Sequence, residues 1–230
     1  MFVVSASGQW LETTTAMPTG STPVALCYNS QNNRVYAALY ESNRVDINVA
    51  VIDGATNQVI DTVDTGYQPW DLCYNPTNNK VYCANFGAVS VTVIDGASGA
   101  VVATVSTGSA PAALCYNPTN NKVYSANYGS GNVSVIDGAS DSVVATVTTG
   151  SWPVAVCYNP TSNKVYCVNT YSHSVSVIDG ATNQVIDTVD TGYQPWDLCY
   201  NPTNNKVYCA NFGAVSVTVI DGARVRSSRP

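Results

Sequence analysis

The sequence predicts an all-β fold, a β-propeller of about five four-stranded blades closed by an N-terminal strand. Three observations carry this reading: a repeat of fixed length, four short strand-like runs in each repeat, and no helical periodicity anywhere in the chain. Ile-Asp-Gly-Ala begins at Ile52, Ile94, Ile136, Ile178 and Ile220, always 42 residues apart. Cys-Tyr-Asn begins at Cys27, Cys73, Cys115, Cys157 and Cys199, with spacings of 46, 42, 42 and 42. A constant period in this range marks a solenoid, propeller or array, because each repeat is one supersecondary unit. Residues 51–97 recur without a change at 177–223, which implies recent duplication or engineering.

Within a repeat the elements follow in order. In the second unit the expected strands are Pro69–Asn75 (A), Lys80–Asn85 (B), Val89–Asp95 (C) and Ala100–Thr107 (D). Val-Ser-Val-Thr-Val-Ile alternates apolar and polar side chains, the period-2 pattern of a half-buried strand. Asn75-Pro76-Thr77-Asn78-Asn79 supplies the Pro and Asn of a tight A–B turn. Asp95-Gly96-Ala97-Ser98-Gly99 does the same between C and D. A helical repeat of this length would show a 3.6-residue apolar stripe, and none is present.

At the N-terminus, Met1–Gly20 reads as the C and D strands of a repeat whose A and B are missing, with Gly8 aligned to Gly96 and Gly20 to Gly108. The D-like piece near Trp10–Met17 is expected to close the ring against the last repeat. One C strand is then surplus, either Phe2–Ala6 or Ser216–Asp221. An unpaired edge strand invites another chain, so a strand-swapped homodimer is an expected partner. The domain reading is a single propeller over 1–223. Residues 224–230 hold three of the nine basic residues and break the repeat, as a vector-derived tail would.

The pieces Tyr82-Cys83-Ala84-Asn85, Tyr124-Ser125-Ala126-Asn127, Tyr166-Cys167-Val168-Asn169 and Tyr208-Cys209-Ala210-Asn211 each precede a Val-Ile-Asp-Gly strand. In this the chain resembles the YVTN-repeat β-propeller family, over nearly its whole length. It departs from the family pattern at Cys-Tyr-Asn-Pro in the innermost strand and at Ala37–Leu39, where the Asn ending is lost. The resemblance implies the fold and suggests an extracellular or cell-surface setting. It leaves function open, since propellers serve as enzymes, lectins, scaffolds and surface-layer modules.

Composition narrows the partners. The chain has 230 residues, 10% charged, with a formal net charge of −6. An acidic chain lacks the basic face that phosphate contacts need, which argues against nucleic acid and against an anionic membrane surface. No run of about 18 apolar residues exists, so no membrane insertion is expected, and the N-terminus has no signal-peptide pattern. Eight cysteines fall at fixed repeat positions, five on A and three on B, with no C-x-x-C pair. They read as small, buried, free thiols rather than a metal or redox motif.

In a propeller the A–B and C–D turns share one face, while the D–A and B–C connections share the other. The first set is nearly uniform between repeats, which is turn chemistry. The Asp of each Ile-Asp-Gly (Asp53, Asp95, Asp137, Asp179, Asp221) is therefore read as a turn cap. The second set varies. Its D–A loops offer Tyr67, Trp70 and Asp71, then Trp152, then Tyr193, Trp196 and Asp197. Its B–C loops offer Phe86, Tyr128, Tyr171, His173 and Phe212. Aromatic rings at the mouth of a ring of blades fit a ligand face; the competing reading is that they cap the apolar seams between blades.

The expected function is a binding or scaffold propeller, with Tyr67, Trp70, Tyr128, Trp152, Tyr171, Tyr193 and Trp196 contacting a small-molecule, glycan or protein ligand and no cofactor. The alternative is a promiscuous hydrolase of esters, lactones or phosphotriesters at the same face. Its catalytic residues would be His173, Asp71 and Asp197, with Zn or Ca as a metal. One histidine with scattered carboxylates is a thin basis for either ion. A surface-layer-type structural module is the third reading.

Overall fold

A computed structural model describes residues 13–18, 22–40 and 49–224. Among these residues lie nineteen strands in five antiparallel sheets, each sheet in sequential strand order. The first blade is β1–β4 (Thr22–Asn29, Arg34–Tyr40, Val49–Asp53, Gln58–Val63) and the second β5–β8 (Pro69–Asn75, Lys80–Asn85, Ser90–Asp95, Val101–Ser106). The third is β9–β12 (Pro111–Asn117, Lys122–Asn127, Asn132–Asp137, Ser142–Thr148) and the fourth β13–β16 (Pro153–Asn159, Lys164–Asn169, Ser174–Asp179, Gln184–Asp190). The fifth is the three-stranded β17–β19 (Pro195–Asn201, Lys206–Asn211, Ser216–Asp221). The repeat thus maps onto blades as its periodicity predicts, and strand limits agree with the sequence reading to within a residue.

The turns explain the punctuation. Asn33, Asn79, Asn121, Asn163 and Asn205 close the A–B turns at positive φ near 50°, a conformation that Asn tolerates better than most residues. The Asp53 carboxylate accepts hydrogen bonds from Ala55 N and Thr56 N, and Asp137 and Asp179 repeat the arrangement. These bonds hold the carboxyls of Asp53, Asp95, Asp137 and Asp179 below the ordinary range, as hydrogen bonding to the charged form does.

Blades stack face to face through apolar side chains. Tyr82, Ala84, Val91, Val93 and Val105 of the second blade pack on Leu114, Val123 and Ile136 of the third. The equivalent sets join the first blade to the second, the third to the fourth and the fourth to the fifth. A polar clasp runs alongside on the A–B turn face. The Nδ2 groups of Asn29, Asn75, Asn117 and Asn159 donate to Oδ1 of Asn79, Asn121, Asn163 and Asn205 in the next blade, at 2.7–2.9 Å. All eight cysteines are free thiols, but only the B-strand Cys83, Cys167 and Cys209 are buried as expected; the other A-strand cysteines are half-buried and Cys199, in the last blade, is exposed. Burial pushes the Cys27 and Cys83 thiols up to about 12.

Among the described residues the two end blades each leave one face uncovered. Leu26 is 68% exposed where its counterpart Leu72 is 7% exposed, and Val217 is 60% exposed where Val91 is fully buried. Of the expected closing strand Trp10–Met17, residues 10–12 lie outside the described residues, as does the candidate surplus strand Phe2–Ala6. The described part, residues 13–17, is not strand. Its Met17 packs against Ala37, Leu39 and Ala50 of the first blade, and Thr15 Oγ1 donates to Asn57 O. Met17 thereby contacts the first blade as Val105, its repeat equivalent, contacts the third. The other candidate, Ser216–Asp221, is simply β19, paired with β18. Residues 41–48 of the long first B–C loop and 225–230 of the tail also lie outside the described residues.

Candidate functional site

The site begins with a backbone irregularity that recurs in every A strand. Pro69 pairs with Asn85 and Asp71 with Ala84, so Trp70 is the extra residue of a β-bulge. Trp196 and Val154 occupy the same place in the fifth and fourth blades, and Ala112 in the third. A bulge bends its strand and re-aims a side chain. Here it turns Trp70, Ala112, Val154 and Trp196 into one cavity on the D–A and B–C face.

Loop residues complete the wall. Gln68, Ala110, Trp152 and Gln194 stand two residues ahead of the four bulges, all with φ of 51–58°. Their carbonyls accept hydrogen bonds from Phe86 N, Tyr128 N, Thr170 N and Phe212 N. Each blade thus fastens the first residue of its B–C loop beside its D–A loop. The resulting cavity of about 580 Å3 is lined by Trp70, Phe86, Tyr128, Trp152, Trp196 and Phe212, with Thr170 and Gln194 as its polar side chains. The rings form a continuous chain: Tyr40–Trp70, Trp70–Phe86, Phe86–Tyr128, Tyr128–Trp152 and Trp152–Tyr171 have centroids 5.2, 5.4, 5.9, 5.3 and 4.9 Å apart. Trp152 carries its indole on a left-handed backbone, which costs a non-Gly residue roughly 1 kcal/mol or more.

Below this mouth a second cavity of about 320 Å3 runs between the innermost strands and shares Trp70, Ala112, Val154 and Trp196 with it. Asp71 and Asp197 both line it. Their local sequences are identical, yet their surroundings are not. Asp71 is largely buried, and its two oxygens accept hydrogen bonds from Leu114 N of the next blade (2.7 Å) and Leu72 N (2.8 Å). Burial pushes its carboxyl up to about 6, against those two hydrogen bonds. Asp197, in the last blade, is exposed and accepts from Leu198 N at 2.8 Å.

Of the seven sequence-predicted ligand contacts, Trp70, Tyr128, Trp152 and Trp196 line the mouth, and Tyr171 stacks on Trp152 at its rim. Tyr67 and Tyr193 are exposed and do not line it. Sequence reasoning missed Ala112, Val154, Thr170 and Gln194. Ala112 and Val154 sit exactly one and two periods after Trp70, so counting the repeat was the available signal. His173 lines neither cavity. Its ring lies 4.5 Å from that of Tyr193 and its Nδ1 accepts from Gln194 N at 3.2 Å. Among the described residues no three His, Cys, Asp or Glu side chains group as they would to hold a metal ion.

A family model described as a YNCE-like β-propeller matches residues 2–164. The chain belongs to the YNCE-like β-propeller family. This agrees with the YVTN-type resemblance read from the repeats, and a propeller of this kind is a generic binding or scaffold frame. Among solved structures, the YNCE-like chain is similar to one titled Kuenenia stuttgartiensis Hydrazine Synthase, with a TM-score of 0.74 and 19% identity. The match covers 87% of this chain and 58% of that one. At that identity the likeness speaks for the fold alone. Comparison with curated proteins gives no match.

Proposed function

We propose that this propeller is a binding protein whose D–A and B–C face takes an apolar small molecule in the aromatic mouth. The observation that carries the reading is the cavity of about 580 Å3 walled by six aromatic side chains with few polar groups among them. Concave, mainly apolar sites of this size with a few placed polar groups are the usual form of small-molecule sites. The bulges support it further. They put Trp70 and Trp196 into the mouth, where Trp70, with a blade on either side, still stays 38% exposed, although a ring that merely sealed a seam would be covered.

Titration with the neutral apolar fluorophore N-phenyl-1-naphthylamine tests the reading. Trp152→Ala and Trp196→Ala together are expected to weaken binding by tenfold or more, since stripping two aromatic walls removes a few kcal/mol of burial. Leu26→Lys, on the uncovered face of the first blade, is expected to leave it unchanged. Binding that survives the double tryptophan variant and falls with Leu26→Lys would place the apolar site at the blade end and sink the proposal.

A further inference from the structure

We infer that the ligand of this mouth is an organic cation with an apolar body, such as an alkylated ammonium compound; the inference rests on the binding reading above and names its ligand class. Three observations of different kinds converge on it. The first is the wall: Trp70, Phe86, Tyr128, Trp152, Trp196 and Phe212 present π-faces and edges around one space. Aromatic faces attract a cation through the ring quadrupole, and cages of such rings are a known way to hold quaternary ammonium groups.

The second is the floor. The cavity beneath the mouth shares four of its residues and is lined by two carboxylates, Asp71 and Asp197. Both are tied down by backbone N–H groups, so they are oriented acceptors rather than mobile surface charges. Among the described residues neither has a basic partner: the salt bridges there are Lys80–Asp141 and Arg224–Asp221. An organic cation seated among the rings would approach the exposed Asp197 without breaking an existing pair.

The third is the distribution of charge. The described basic side chains are Arg34, Lys80, Lys122, Lys164, Lys206 and Arg224. The first five begin a B strand and Arg224 follows the last C strand, so all six sit on the A–B and C–D turn face, opposite the mouth. Lys80 reaches Asp141 at 2.7 Å and Lys164 reaches Gly222 O at 2.9 Å there. Among the described residues the mouth side instead carries Asp64, Asp71, Asp190 and Asp197 on and beside its D–A loops; Glu41, Arg44 and Asp46 of the first B–C loop lie outside the described residues. The chain's net charge is −6. A cleft with one sign of charge and low-dielectric walls focuses that field and concentrates the opposite ion. An anionic ligand would meet no described Lys or Arg in either cavity.

The test uses two probes of one shape on the full chain at neutral pH: 4-(trimethylammonio)phenol and 4-tert-butylphenol, which differ by a quaternary nitrogen in place of a carbon. Isothermal titration is expected to show the cation binding about two- to thirtyfold more tightly. Asp197→Asn is expected to narrow that ratio, and Trp196→Ala to weaken both. Equal or tighter binding of the neutral phenol would overturn the inference and leave the apolar-ligand reading standing. If neither phenol binds but N-phenyl-1-naphthylamine does, the cation inference again fails alone. If none of the three binds, both readings fail.

Discussion

Asp71 and Asp197 are the same residue in the same sequence, 126 positions apart, and they show what a neighbouring blade does to a side chain. The third blade covers Asp71 and gives it Leu114 N as a partner; no described blade follows Asp197. The Asp71 carboxyl, raised by burial to about 6, makes a definite pH prediction. Because it lies above the ordinary carboxylate value of about 4, the folded protein holds this proton more tightly than the unfolded chain does. The resulting stabilisation is complete below about pH 4 and is lost as pH rises through about 6, and it is on the order of 3 kcal/mol. Asp95, Asp137 and Asp179 act in the opposite sense: their lowered carboxyls withdraw stability as pH falls below about 4. Urea unfolding at pH 4.5 and 7.5 checks this. The gap in stability between Asp71→Asn and wild type should shift in favour of the variant at the higher pH. An Asp71→Asn gap independent of pH would refute the raised carboxyl.

At the scale of the element, the A–B turn joins blades as well as reversing the chain. Asn75 accepts from Thr77 N through Oδ1, shaping its own turn, and donates through Nδ2 to Asn121 of the next blade. Asn75→Ala therefore removes both bonds at a fully buried position and leaves Asn121 Oδ1 with only the longer contact from Tyr116 OH at 3.4 Å, at about 1–3 kcal/mol. Asn201 makes the same turn bond to Thr203 N, but no described blade follows it. Asn201→Ala should cost less than half as much, read as the shift in urea midpoint; equal costs would mean that the clasp contributes nothing. Much of this element was legible beforehand: the period placed every strand, and Asn-Pro-Thr-Asn-Asn announced the turn. The bulges were not. Nothing in Pro69-Trp70-Asp71 distinguishes a bulged pair from a regular one, because the bulge depends on register across two strands. Comparing the repeats therefore placed Trp70 at the mouth without showing that Ala112 and Val154 share its orientation. Tyr67 and Tyr193 stand in the same loops but do not line the cavity, since a ring in the loop need not point into it.

At the scale of the whole molecule, the internal duplication supplies a probe of the two end faces that the described residues leave uncovered. Residues 51–97 and 177–223 are identical, so a peptide from β6–β7 and its counterpart from β18–β19 have the same mass and the same intrinsic exchange rates. Only their neighbours differ. The second blade has a blade on either side, whereas the fifth is three-stranded with Val217 and Val219 exposed at 60% and 50%. In a repeat architecture, stability is approximately a sum of blade terms and nearest-neighbour interfaces, and a unit missing one interface opens at lower free energy than an interior one. Hydrogen–deuterium exchange should therefore split each shared peptide into two isotopic envelopes of equal area, one slow from the second blade and one fast from the fifth. Equal areas that persist through the time course separate this from slow cooperative opening, in which one envelope grows as the other shrinks. A single slow envelope would show that the fifth blade is covered in solution. Light scattering on the same sample then separates the two ways of covering it, a monomer meaning that the chain closes on itself and a dimer meaning that a second copy supplies the missing face.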